Sequence, residues 1–172
     1  MIKIIGIFMI VTSSTIIGFS YGERLKKRVK ELKEFQRGLY ILKNEINFAH
    51  SLLPDALYKV YEKCEGVMGD IFKEVSILLR SNEEKDVYNC FLQSFNKNKN
   101  RLFLSQNDIG IFLDFTKSLG EMDIEGHNDM LALTLENLGK AVNDAEYNIE
   151  KNVKMYRYLG FSFGAMVGII LF

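Results

Sequence analysis

The chain predicts an all-α fold: a compact antiparallel bundle of about six helices, flanked by N- and C-terminal transmembrane helices. Three observations carry this expectation. The 172 residues include a single proline, and apolar side chains recur at steps of three and four, the period of a helix face. Residues 4–21 carry no charge and make about 27 Å of helix, close to the roughly 30 Å hydrocarbon core of a bilayer. Residues 159–172, LGFSFGAMVGIILF, are also uncharged and place glycines at 160, 164 and 168. The expected organisation is a transmembrane anchor at 1–22, a cytoplasmic helical domain at 23–154 and a C-terminal transmembrane segment at 155–172.

The first apolar segment is followed at once by Arg24, Lys26, Lys27, Arg28 and Lys30, and such a block holds its side of a span in the cytoplasm. A cleaved signal peptide with Lys3 as its charged start is the competing reading. The apolar stretch is longer than the usual core of such a peptide, which favours an anchor. Residues 159–172 alone give about 21 Å of helix, and starting at Met155 brings this near 27 Å. Arg157 can snorkel to the headgroups, Tyr156 and Tyr158 stand where an aromatic belt belongs, and Lys151, Lys154 and Arg157 give this end the same orientation. Both termini then lie across the membrane from the domain. In lipid, small residues four apart let helix backbones approach closely. Ser14, Gly18 and Gly22 form one such ridge, and Gly160, Gly164 and Gly168 another. Run antiparallel, Gly22 falls beside Gly160, Gly18 beside Gly164 and Ser14 beside Gly168, so the two spans are expected to pair as a hairpin. A chance match, or pairing with another membrane protein, fits the same glycines.

Between the ends, a helix is expected over 23–49, with Leu25, Val29, Leu32, Phe35, Leu39, Leu42 and Ile46 as its apolar stripe. Ser51 reads as the cap of a second helix with Pro54 in its first turn. Gly66 and Gly69 separate it from a third, which buries Ile71, Phe72, Val75, Leu78 and Leu79. Ser81 and Glu84 suggest a capping box for a fourth, burying Val87, Phe91 and Phe95. NKNKN, 96–100, reads as a linker. Ser105 and Asp108 open a fifth helix that buries Ile109, Phe112, Leu113 and Leu119 and stops at Gly120. From Asp123 the helical pattern continues without a break, with a heptad-like seam of Leu131, Leu135, Leu138, Val142, Ala145 and Ile149. Packing of this seam within the domain is favoured over an intermolecular coiled coil.

Formal charge is zero, with 22 basic and 22 acidic side chains, which points away from nucleic acid. The distribution is uneven. Residues 23–50 hold eight Lys and Arg against four acids, and residues 121–150 hold one Lys against eight acids; such regions attract one another or a partner. No phosphate-binding, nucleophile-elbow, zinc-protease or dinucleotide motif is present, and neither a cofactor nor a small-molecule substrate is expected. His127 lies near Asp123 and Asp129, but residues two apart on a helix point to different faces, so no metal set forms. Glu121, Asp123 and Glu125 suit the positive end of a helix dipole. Cys64 and Cys90 show no disulfide or metal spacing and read as buried thiols.

Three stretches resemble a known family in order and spacing: SLLPDAL after the first long helix, Leu119–Gly120 with Asp123, and KMYRYLG entering the last segment. The chain resembles the stage III sporulation protein AB family of endospore-forming bacteria over essentially its full length. Where this chain has His127 that family often has glutamine, so the resemblance gives His127 no role. The resemblance implies a non-enzymatic membrane component of the channel complex between mother cell and forespore. It also implies a domain similar to the cytoplasmic domains of inner-membrane platform proteins in type II secretion and type IV pilus systems. The implied partners are the stage III sporulation ATPase, other membrane proteins of the same complex and the lipid bilayer. Expected docking residues are the cations Arg24, Lys27, Arg28 and Lys30 and the acids Asp123, Glu125 and Asp129. The alternative is a membrane-tethered helical sensor that dimerises through its long C-terminal helix.

Overall fold

The computed structural model describes residues 2–49, 51–81, 86–119 and 124–171, with only some of the side chains in the terminal stretches. Among the described residues the chain is all-helical, with six helices. They are α1 (Ile2–Asn47), α2 (Leu53–Lys63), α3 (Gly66–Ser81), α4 (Val87–Asn98), α5 (Gln106–Leu119) and α6 (Ile124–Leu171). The chain divides into two compact units, one made of 1–29 with 143–172, the other of 30–142.

In the second unit, α1 buries Leu32, Phe35, Leu39 and Leu42 completely, the stripe its spacing predicts. α2 packs on α3, α3 on α4 and α4 on α5. The centre of this core is Phe112 of α5. Its ring meets Phe35 of α1 at 4.1 Å between centroids, Phe91 of α4 at 4.6 Å, Phe95 at 5.4 Å and Phe72 of α3 at 6.0 Å, all at steep interplanar angles. Edge-to-face contact of this kind adds to simple area burial. Leu131, Leu135, Leu138 and Val142 of α6 are buried within the same chain, so the heptad-like seam is occupied internally. Buried Thr116 and Thr134 satisfy their hydroxyls on carbonyls of their own helices, Leu113 O at 2.8 Å and Met130 O at 2.7 Å.

Two close approaches require glycine. A Cβ on Gly38 of α1 lands 2.7 Å from the Phe72 ring, and one on Gly69 lands 2.6 Å from the carbonyl oxygen of Cys64. Gly66, which starts α3, sits at φ +66°, where a side chain is strained. The break between α2 and α3 is therefore only Cys64 and Glu65, and Gly69 lies inside α3 rather than ahead of it.

Several local expectations are corrected. Leu52, not Ser51, caps α2, and no side chain bonds there; the Ser51 hydroxyl donates instead to Glu45 at 3.1 Å. Ser81 is the last residue of α3, and Glu84 lies outside the described residues. Asp86 caps α4, accepting from the Tyr88 amide at 3.0 Å. Asn96, Lys97 and Asn98 are the last turn of α4 and not a linker; Asn98 is buried, its amide donating to Glu74 at 3.2 Å. The box opening α5 is as expected: the Ser105 amide donates to Asp108 at 2.7 Å, and the Asp108 amide donates to the Ser105 hydroxyl at 3.2 Å. Of the expected stretches 1–22 and 155–172, residues 2–22 are helical in α1 and residues 155–171 in α6. Among the described residues no helix is long and apolar enough to cross a membrane. The flanking transmembrane helices are thus not borne out by the structure, in which most side chains of those two stretches lie outside the described ones.

Candidate interaction surface

Of the four acids in the basic stretch of α1, three are drawn inward. Glu31 accepts the Phe103 amide at 2.7 Å, which fixes the segment between α4 and α5 against α1. Glu34 accepts the Glu65 amide at 2.9 Å, just before α3. Glu45 accepts from Lys59 at 2.6 Å and from Ser51 at 3.1 Å. The Lys59 ammonium holds the Glu45 carboxyl below its ordinary value, and together these groups tie the corner between α1 and α2. The fourth acid, Glu23, pairs with Lys26 at 2.8 Å.

The solvent side of α1 in the second unit carries Lys30, Lys33, Arg37, Tyr40, Asn44 and then Phe48, at steps of three and four. From Lys30 to the helix end this is about 25 Å. Lys30 leans toward Glu65 at 3.7 Å and Arg37 toward Glu34 at 3.5 Å. Arg37 remains 54% exposed. Tyr40 is 52% exposed, Phe48 82% and Leu52 74%.

Of the expected docking residues, Arg24 and Lys27 are exposed and Arg28 half-buried, all three in the first unit; Lys30 and Asp129 are exposed in the second. Asp123 and the side chains of Glu125 and His127 lie outside the described residues. Of the expected glycine ridges, Gly22 is buried. The surroundings of Ser14, Gly18, Gly160, Gly164 and Gly168 lie outside the described residues. Lys33, Arg37, Tyr40, Phe48 and Leu52 were not among the expected contacts. For Lys33, Arg37 and Tyr40 the signal was available: they are the complement, at the same period, of the buried stripe.

A shallow cleft of about 200 Å³ opens between α3 and α4, lined by Glu74, Ile77, Leu78, Gln93, Ser94 and Lys97. Glu74 is engaged there by Ser94 at 2.9 Å, Asn98 at 3.2 Å and Lys97 at 3.0 Å. Its carboxylate serves to bind α4. Among the described residues no three His, Cys, Asp or Glu side chains gather as a metal set. Cys64 and Cys90 are both free and buried. Burial pushes the Cys64 thiol up to about 11, away from the thiolate form that reactive cysteines need.

The family model described as stage III sporulation protein AB matches residues 3–172. The chain is similar to the stage III sporulation protein AB of Bacillus subtilis (strain 168), at 25% identity over 171 residues and 99% of each chain. A solved structure of a stage III sporulation protein AB matches with TM-score 0.66 at 21% identity, covering 72% of this chain and 96% of that one. At that identity the likeness speaks to fold.

Proposed function

The chain belongs to the stage III sporulation protein AB family, and from that premise we propose that it is a non-enzymatic membrane component of the mother cell–forespore channel complex. It acts as a platform that docks a cytoplasmic ATPase. The observation that carries the docking is the solvent face of α1, where Lys30, Lys33 and Arg37 stand exposed at successive turns, with Lys30 and Arg37 in exposed pairs with Glu65 and Glu34. Charged faces of this kind steer encounter and set partner choice.

In this reading residues 4–21 and 155–172 anchor the protein in the bilayer, paired along Ser14, Gly18 and Gly22 with Gly160, Gly164 and Gly168. The support is in the sequence: an uncharged stretch of bilayer length, basic blocks beside both segments, and matched small residues. The domain stands in the mother-cell cytoplasm. Basic Arg24, Lys27, Arg28 and Lys30 and acidic Asp123, Glu125 and Asp129 are the first contacts offered to the ATPase and to other membrane proteins of the complex.

The test is topology. Lys99, exposed just after α4, is replaced by cysteine, and intact cells are treated with a membrane-impermeant thiol reagent. The native thiols are buried and need not be removed. Protection until the cells are opened agrees with a cytoplasmic domain within reach of an ATPase. Labelling of intact cells puts the domain outside and ends this reading.

A further inference from the structure

Arg101 and Phe103, two residues apart in the connection between α4 and α5, reach different helices of the second unit. The Arg101 guanidinium donates to Asp70 of α3 at 2.7 Å and to the Asn98 side-chain oxygen at 3.1 Å. The Phe103 amide donates to the Glu31 carboxylate of α1 at 2.7 Å. The chain makes a turn at 99–101 and then runs through 102–105 outside any helix. No helix ladder holds this stretch. Its bonds go to carboxylates, and Leu102, Phe103 and Leu104 are each half-buried. We propose that residues 101–104 form a clasp between α1 and α3 that opens and closes as one element, its two ends depending on each other.

The dependence follows from the shortness of the chain. Once Arg101 is fixed on Asp70, one residue separates it from the Phe103 amide, so the second bond closes with little further loss of chain entropy. Without the Asp70 end, the Glu31 bond has to order the connection by itself. The foot of the clasp is firm, since buried Asn98 is held by Glu74 at 3.2 Å and by the Ser94 carbonyl at 3.0 Å. The two ends differ in strength. The Arg101 and Asp70 side chains are 58% and 43% exposed, and an exposed pair contributes little and is weakened by salt. The Glu31 bond is part-buried and charge-assisted. Opening therefore starts at Asp70 and, when it reaches Glu31, removes the link between α1 and α3 and uncovers Leu102 and Leu104. Segments of this kind open locally, ahead of the unit as a whole.

The experiment is hydrogen exchange followed by mass spectrometry on the full chain in nanodiscs of zwitterionic lipid. It is read on peptides covering 101–105, with the middle of α5 as internal reference. Asp70→Ala and Arg101→Ala, both at solvent-accessible side chains that do not bond the Phe103 amide, should each raise its exchange about twofold to fivefold. The α5 reference should stay within about 1.5-fold. Glu31→Ala, which removes the acceptor itself, should raise Phe103 exchange about fivefold. In the doubly altered Glu31→Ala, Arg101→Ala chain the rise should stay within about twofold of that for Glu31→Ala alone. Unchanged Phe103 exchange in Asp70→Ala and Arg101→Ala overturns the proposal, as does a double variant whose rise equals the product of the two single ones. A rise shared equally by the α5 reference in Asp70→Ala and Arg101→Ala also overturns it, because the connection then has no opening of its own. Should Glu31→Ala unfold the chain, those two variants still decide.

Discussion

The two faces of α1 in the second unit are built from the same 18 positions, 30–47, to opposite ends. The inner face is closed by volume. Leu32, Phe35, Leu39 and Leu42 are wholly buried, and Gly38 lets the Phe72 ring lie almost on the helix backbone. The outer face is left open, with Lys30, Lys33, Arg37 and Tyr40 exposed. Between them run Glu31, Glu34 and Glu45, whose carboxylates tie other segments to the helix edge. The contrast teaches that stability and recognition are divided by face and not by region, so a change on one face should leave the other measurement nearly untouched.

The largest effect is expected where the inner face meets the aromatic centre. Phe112→Ala removes the ring shared by Phe35, Phe72, Phe91 and Phe95, and should cost about 3–5 kcal/mol in denaturant unfolding. A loss below about 1 kcal/mol would mean that the rings close over the gap and that the inner face is loosely packed. Next comes Gly38→Ala. Alanine gains up to about 1 kcal/mol in helix propensity, but its Cβ falls 2.7 Å from one Phe72 ring carbon and 3.2 Å from Val60. Phe72 is fully buried and has no room to yield, so overpacking wins and the net loss is about 1–2 kcal/mol. Pairing it with Phe72→Leu should recover part of that loss; strict additivity of the two would break the argument from close approach.

The tying carboxylates come third. Glu31→Gln retains an acceptor for the Phe103 amide, whereas Glu31→Ala removes it and should cost about 1 kcal/mol. Hydrogen exchange gives the sharper readout: the Phe103 amide should exchange faster in the alanine variant and nearly unchanged in the glutamine one. Equal exchange in both would separate Glu31 from the role assigned to it.

These particulars also show what local pattern can and cannot reveal. The stripe on α1 and the Ser105–Asp108 box were legible because each step in them joins residues about one turn apart. Ser51 and Ser81 have the same local signature as a cap, yet neither caps. The Ser51 hydroxyl is taken by Glu45 from the preceding helix, and α3 simply continues through Ser81. NKNKN looked like a linker since nothing near it in sequence reveals Glu74, the acceptor that buries Asn98. The interaction surface follows the same rule. Its cations were visible, but Glu31 turns toward a residue 72 positions away, and Glu65, far along the chain, comes back to Lys30. A count of charges along the helix cannot see that.

The smallest expected effect is at the corner where both faces meet. Hydrogen bonding from Lys59, then from Ser51, favours the ionised form of Glu45 and lowers its carboxyl from the ordinary 4.5. A depressed folded value means the contribution is present above the unfolded value and is lost as pH falls through the lowered one. Acidification below about 4.5 should therefore loosen the corner first, before the aromatic centre responds, and Phe48 and Leu52 should lose their fixed presentation. Carboxyl titration by NMR measures the cause directly: Lys59→Met should move the Glu45 midpoint back up toward its ordinary value, while Lys33→Glu and Arg37→Glu leave it close to where it was. A midpoint that does not move in Lys59→Met would detach the corner from its ion pair. The fixed geometry of the apolar pair would then have to come from the packing of α2 alone.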